Sequence, residues 1–254
     1  MQCVIITLCS MKPFINNISV DCIIFGFDSG RLNVLLTKRE LEDEKTGNII
    51  FTDYTVQGHH VLEGEHINDA ARRVLKDKTG FDNIYLEQFH TFGDPGRIQH
   101  ERDKLWISAK FPTVAAHVVS VGYCSLVDST KVKPDTQHQF TSWWPVDKLP
   151  LLGYDHAEMI AKALEFLRIK IQREPVGFEL LPEKFTLSQL QNLYEAILGV
   201  SLDRRNFRKK VGQMKFIIPL NEKQKGVAHK PAQVFIFSRD VYDRTKKEKL
   251  DILV

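Results

Sequence analysis

The stretch that most constrains the fold runs from Gly58 to Phe81, GHHVLEGEHINDAARRVLKDKTGF. A polar loop opens it. Ile67 to Thr79 then reads as a helix, which Gly80 is placed to end in the left-handed conformation. Residues spaced i, i+3 and i+4 share a helix face, so Val74, Asp77 and Lys78 stand together. Three carboxylates on such a face would cage a divalent cation, because hard cations such as Mg2+ require oxygen ligands. Valine supplies no oxygen, and lysine puts a positive charge where the ion would sit. The helix therefore reads as a scaffold without metal-assisted chemistry, with no catalytic and no metal-ligating residue.

On either side of this helix the chain reads as short strands. Ser19 to Phe27 is an apolar run suited to a buried strand, and Leu32 to Thr37 follows across the turn Asp28-Ser29-Gly30, so the two predict a hairpin. Lys38 and Arg39 come next, then a charged loop from Glu40 to Asn48. Ile84 to Phe92, Val118 to Leu126 and Phe140 to Pro145 are further strand candidates, and the whole suits an α+β sandwich. Between Asp94 and Val118 lies a long polar insert containing aromatics; such a loop is more often a lid or a dimer contact than a passive connector. At Asp155 a helix opens with cap-like residues: Asp155 as cap, Glu158 at the capping-box position, and Tyr154 with Met159 as staple.

Glu174-Pro175-Val176-Gly177 breaks that helix and divides the chain into 1–173 and 178–254. Beyond it Thr186-Leu187-Ser188-Gln189 is a capping box stapled by Phe185 and Leu190, and Gly199 is placed to end the helix. A second helix starts at Asp203. Phe207, Val211 and Met214 face inward, so Arg205, Arg208 and Lys209 project outward while Arg204 and Lys210 flank the apolar stripe. Phe216 to Leu220, a polar loop to His229 and Val234 to Phe237 then read as strand, wing and strand. Helix, turn, basic helix and basic hairpin describe a winged helix-turn-helix, whose second helix enters the major groove of duplex DNA. Charge agrees: the net charge is +3, but 201–230 carries nine basic residues against Asp203 and Glu222, leaving the remainder acidic. The apolar runs are too short to span a bilayer. Cys3, Cys9, Cys22 and Cys124 are scattered without metal-ligand spacing, which suits reduced thiols in a cytoplasm. The first nine residues lack a signal-peptide pattern, and either Met1 or Met11 could be the start.

The stretch from Gly58 to Phe81 resembles the Nudix box: glycine, five residues, glutamate, seven residues, then R-E-U-x-E-E-x-G-U. Glu65, Arg73, Leu75, Gly80 and Phe81 match it. Val74, Asp77 and Lys78 replace the three glutamates, and His59 replaces the leading glycine. Gly93-Asp94-Pro95-Gly96-Arg97 resembles a stretch of ADP-ribose-type Nudix proteins. From about Met11 onward the chain is similar to the Nudix-related transcriptional regulators, the NrtR-like repressors. The resemblance is also carried by Gly177-Phe178-x-Leu180-Leu181-Pro182, the run from Phe185 to Val211, and Lys230-Pro231-Ala232 in the wing.

That resemblance implies a Nudix-type α/β/α sandwich followed by a winged helix-turn-helix. It also implies a small effector, ADP-ribose or a pentose sugar or derivative; and because one winged helix reads few base pairs and twofold dimers are the commonest assembly, a homodimer on an inverted-repeat operator of double-stranded DNA is expected. The matching stretches place Arg39, His59, Asp94, Arg97 and His156 at the effector. Arg204, Arg205, Arg208, Lys209, Lys210 and Lys230 fall to the DNA, and no cofactor is expected. His59 and the long insert depart from the family pattern. Two other readings remain at this stage. One is an active Nudix hydrolase of a nucleoside-diphosphate sugar, with a metal site rebuilt around Glu63, Glu65 and Asp77. The other is a nucleic-acid-binding protein whose Nudix half serves only dimerisation.

Overall fold

The computed structural model describes residues 13–80, 85–111, 113, 117–130, 132, 140–224, 226 and 231–245. Met1, Met11, Cys3, Cys9 and the wing residue Lys230 lie outside them. Strand β1 (Phe14–Asp28) is the centre of a seven-stranded sheet. It pairs antiparallel with β2 (Arg31–Glu42) through a two-residue turn in which Ser29 and Gly30 have φ of 50° and 78°. Positive φ at both positions gives the turn whose twist matches that of the strands. On its other side β1 runs parallel to β6 (Val119–Val127), which pairs with β5 (Tyr85–Phe92). Strands β3 (Ile49–Thr55), β4 (Gln57–Leu62) and β7 (Thr141–Pro145) complete the sheet against β2, β1 and β2 respectively.

The expected hairpin is present, but the charged loop is shorter than its composition suggested. Strand β2 continues through Lys38, Arg39 and Glu40 because β3 pairs with it, Arg39 facing Asp53 in the register. Only the residues near Asp43 form the turn, where the Asp43 carboxylate accepts the Lys45 and Thr46 amides at 3.0 and 2.8 Å.

Residues of β1 alternate between two apolar layers. Val20, Cys22 and Ile24 pack with Ala70, Ala71, Val74 and Leu75 of α1 (Ile67–Thr79), which ends at Gly80 with φ 74°. Ile23 and Phe25 face the other layer, covered by Met159, Ile160, Ala163, Leu167 and Ile171 of α3 (His156–Arg173). The result is the α/β/α sandwich. Helix α2 (Glu101–Lys110) lies within the insert, which the sequence showed only as a long polar loop; Asp103 is its buried residue.

After α3 the chain passes through a 3-10 turn, Pro175–Leu180, into α4 (Leu187–Leu198) and α5 (Arg204–Val211). The capping box of α4 forms as expected, with the Gln189 amide donating to Thr186 Oγ1 at 3.2 Å and the Thr186 amide to Gln189 Oε1 at 2.8 Å. The turn between the helices is fixed from α4: Gln191 Nε2 donates to the Leu202 carbonyl at 2.9 Å, and the Leu202 amide donates to Glu195 Oε1 at 2.8 Å. Asp203 caps α5 by accepting the Asn206 amide at 2.8 Å. A small sheet ordered β8-β10-β9 follows (Lys184–Phe185, Gln233–Phe237, Ile217–Lys223), with α6 (Arg239–Thr245) after it.

The winged helix shares the sandwich's core. The apolar cluster holding Ile23 and Phe25 continues through Phe178, Leu193, Tyr194 and Phe207. Polar contacts reinforce the junction, where Arg168 Nε of α3 donates to the Ile197 carbonyl of α4 at 2.8 Å.

Truncating a buried side chain of that shared cluster costs about 2–5 kcal/mol. Ile171→Ala is therefore expected to lower the urea midpoint while leaving one transition. Trp106, Trp143 and Trp144 all precede the junction. Coincident tryptophan fluorescence and circular dichroism would confirm one cooperative unit, and separate transitions would refute it.

Candidate ligand cavity and DNA-reading helix

A cavity of about 380 Å³ opens at one end of the large sheet. Its walls come from Ser19 and Asp21 of β1, Thr37 to Arg39 of β2, Gln57 to His60 of β4, Lys78 of α1, Trp106 and Ile107 of α2, and Tyr154 and His156 at the start of α3. Arg39, His59, Arg97 and His156, four of the five residues expected at an effector, line it together. Asp94 does not: its carboxylate accepts the Gly96 amide at 2.6 Å and closes the turn that carries Arg97.

Arg39 is 3% exposed. Its guanidinium grips Asp53 through Nε and Nη2, at 2.7 and 2.6 Å, and Nη2 also reaches Asp103 of α2. Arg102 adds an ion pair to Asp53 at 3.2 Å, and the Tyr154 amide donates to Asp103 at 3.1 Å. Phe51, Trp106 and Tyr154 surround the guanidinium, with ring centroids 4.5 to 5.3 Å from its central carbon. Two arginines and two aspartates thus balance in charge and fasten the insert helix to the sheet. Nη1 of Arg39 and Nε of Arg102 are buried donors without a hydrogen-bond partner among the described residues.

Arg97 forms a second cluster. It holds Asp155 in a two-pronged contact at 3.0 and 2.9 Å and donates to the Phe92 and Val118 carbonyls. This corrects the expected helix cap: Asp155 precedes α3 but makes no side-chain cap hydrogen bond. Its carboxylate is taken by Arg97, a stronger charge-assisted partner than a backbone amide. Beside them the Asp21 carboxyl is pushed up by burial and accepts the Ser120 hydroxyl. Gly58 lies opposite Asp21 in the β1–β4 register, and any side chain at 58 would collide with that carboxylate.

His156 is also buried. Its Nδ1 accepts the Val56 amide at 3.2 Å, so the neutral ring carries its proton on Nε2. Burial first, and then the Arg97 and Arg39 charges, lower its pKa to about 3.

The glutamate left in the degenerate box is a brace. Glu65 receives Arg73 Nε and Nη2, both at 2.8 Å, and the Leu62 amide at 3.0 Å. The Arg73 hydrogen bond holds its carboxyl below the usual range. Val74 is buried in the core, Asp77 is exposed, and Lys78 lines the cavity. No group of three metal-ligating side chains occurs among the described residues.

On α5 the core takes Phe207 and Val211, while Arg204, Arg205, Arg208 and Lys209 stand exposed and Lys210 is half-buried. Tyr194 of α4 meets Phe207 at 6.0 Å between ring centroids, holding the basic face away from the body.

Two stretches of the chain match models of known protein families. Residues 16–163 match the family model described as the NUDIX domain. The chain belongs to the NUDIX family. Behind its NUDIX domain, residues 177–237 match the NrtR DNA-binding winged helix domain. A curated relative from Acinetobacter baylyi, described as an ADPR responsive transcriptional repressor NtrR, is 29% identical over 230 residues, which are 89% of this chain and 83% of the relative. The crystal structure of Shewanella oneidensis NrtR is 26% identical with a TM-score of 0.67, over 89% of this chain and 95% of that one. The same protein complexed with a 27mer DNA shares the fold at 24% identity and a TM-score of 0.68, with the same coverage. The NUDIX box here is degenerate, and the curated relative is described as a repressor.

Asp21, Asp53, Asp103 and Trp106 escaped the sequence reading, and Tyr154 was read there only as a helix staple. Asp53 faces Arg39 only because β3 pairs with β2, and Asp103 comes from 64 residues away. Neither relation leaves a local signature.

The neutral histidine sets a pH dependence. Unfolded, His156 titrates near 6.5; folded, near 3. Between these values the unfolded state binds the extra proton, so this contribution to stability is present above about pH 6.5 and is lost as pH falls toward 3. Asp21, with its raised pKa, works in the opposite direction. His156→Asn keeps an acceptor for the Val56 amide but cannot titrate. Urea unfolding from about pH 7.5 to about 4.5 is expected to show a shallower acid loss of stability in the variant than in the parent. Equal slopes would show that His156 is protonated in the folded state.

Proposed function

We propose that this NUDIX-family chain is a DNA-binding transcriptional regulator, a repressor that acts as a homodimer on an inverted-repeat operator. A small metabolite in the NUDIX cavity releases it from the DNA. Residues 1–173 serve as sensor and 178–254 as reader, in the cytoplasm. The observation that carries the reading is α5: its apolar stripe is spent on the core, and four cationic side chains stand exposed on the same helix. No helix among the described residues is long and apolar enough to cross a membrane.

For the effector, the curated relative's description as ADPR responsive supports the ADP-ribose class. The cavity supports it too, joining aromatic walls to buried donors. Hydrolysis is not part of the function. Val74 belongs to the core and Glu65 is committed to Arg73, so the box has no carboxylate cage with which to hold a metal.

One winged helix reads few base pairs, and a twofold dimer doubles the site. Half-sites are then spaced by roughly one helical turn or a multiple of it. Arg205 and Arg208 are the base readers, and Arg204 serves either role. Lys209, Lys210 and Lys230 anchor phosphates, because a lysine gives a point charge where arginine gives a two-pronged fork. Arg208→Ala is expected to cost about 1–3 kcal/mol on the operator and to relax preference at one position per half-site. Lys209→Ala should weaken all duplexes alike and reduce the salt dependence. Titration of both variants on operator and scrambled duplex at two salt concentrations separates the roles. Equal losses on both duplexes would refute the division, and no loss from either would show that α5 is not the reader.

A further inference from the structure

Helix α3 has one end in the cavity and the other against the DNA-binding domain. His156, its first residue, lines the cavity. About three turns further along, Arg168 Nε donates to the Ile197 carbonyl in the last turn of α4. Between them Met159, Ile160, Ala163 and Leu167 lie in the apolar cluster that also holds Leu193 and Tyr194 of α4. Helix α4 in turn fixes the turn into α5 through Gln191 and Glu195. An 18-residue helix is a stiff rod about 27 Å long, so a change in how it begins is felt by α4.

The start of α3 differs from the starts of α4 and α5. Thr186 and Asp203 sit in extended backbone and accept an amide of their own helix. Asp155 occupies the same position with φ −92° and ψ 19°, and its carboxylate makes no cap hydrogen bond to α3. Both of its oxygens are held by Arg97, at 3.0 and 2.9 Å. The residue before it, Tyr154, has φ of 53°, a left-handed backbone that a side chain resists and that surrounding contacts must maintain. Those contacts are the Tyr154 amide on Asp103 and the Tyr154 ring over Arg39. Arg97, Arg39 and Asp103 thus hold the helix start in a strained arrangement. The ordinary one, with Asp155 on the amide of Ala157 or Glu158, goes unused.

Arg97 stands in the cavity wall. Asp155 takes two of its N–H groups, and the Phe92 and Val118 carbonyls take two more. A guanidinium has five, so a ligand that grips this one with two acceptors must displace Asp155. We propose that the Arg97–Asp155 pair is the latch of the sensor: an effector that takes Arg97 frees Asp155 to cap α3, and the new helix start is carried through α4 to α5 and loosens the grip on DNA. The inference rests on the sensing function and assigns its coupling. A ligand shifts an equilibrium only by the difference in its affinity for the two arrangements, and here that difference is access to Arg97.

The test uses the full chain, with operator binding followed by fluorescence anisotropy and ADP-ribose binding by calorimetry. Asp155→Ser removes the ion pair and keeps a capping oxygen. Coupling between two sites is reciprocal. The variant is therefore expected to bind the operator about 5- to 150-fold more weakly without effector, and ADP-ribose more tightly by a like factor. Asp155→Asn, closer in size and as good a cap, should move both affinities the same way by less. Damage to the fold lowers both affinities, so opposite shifts identify the latch. Parent-like values in both variants, or any shift that does not weaken DNA binding and tighten ADP-ribose binding together, overturn it and leave the sensing function standing. A parent that does not bind ADP-ribose, or that stays on the operator when saturated with it, removes the sensing function and the latch with it.

Discussion

Strand β1 is buried on both sides, and the rest of the molecule follows from that. Val20, Cys22, Ile23, Ile24 and Phe25 are fully buried, the even residues against α1 and the odd ones against α3. A strand of this kind cannot stand at a solvent face, so the chain must supply a helical layer for each side. Asp21 interrupts the pattern on the odd face. There the apolar layer gives way to the cavity, and Gly58 and the Asp21 carboxylate, which accepts the Ser120 hydroxyl, stand in its wall. Burial and site are two ends of one strand. The odd-face cluster also runs on through Phe178 and Leu193 to Phe207, so the packing that closes the sensor also seats the DNA reader.

The wall of the cavity is held differently. Helix α2 buries Asp103 as its contact with Arg39, not an apolar stripe. Taking two charges out of water costs several kcal/mol for each ion, and only near-ideal geometry offsets it. Here the geometry is good: a two-pronged Arg39–Asp53 contact, Asp103 on the same guanidinium nitrogen, and three aromatic rings around it. An apolar contact could slide, whereas this one fixes α2 in a single register and sets Trp106 into the cavity wall.

How far the sequence could be read follows from the same contrast. Elements made by local chemistry were legible: the Ser29-Gly30 hairpin, the α1 stop at Gly80, the Thr186–Gln189 box and the helix start at Asp203. Helix α2 was not, because its reason for existing is an ion pair with a residue 64 positions away. Asp155 read as a cap because Asp before a helix normally caps; Arg97, 58 positions away, takes it instead. Arg39, His59, Arg97 and His156, which line the cavity, were singled out through residue type and resemblance. Asp94 was also chosen on type, and only its turn, closed on the Gly96 amide, shows why it stays off the cavity.

The central claim is that a NUDIX domain which has lost its metal cage now reports on its ligand through the attached winged helix. One sample tests it directly: the full chain bound to its operator duplex, with Mg2+ and ADP-ribose added, followed by fluorescence anisotropy of the DNA and by chromatography of the nucleotide. The account predicts that the duplex is released while the ADP-ribose remains intact. Conversion of ADP-ribose to AMP, or a duplex that stays bound at saturating ADP-ribose, would contradict it.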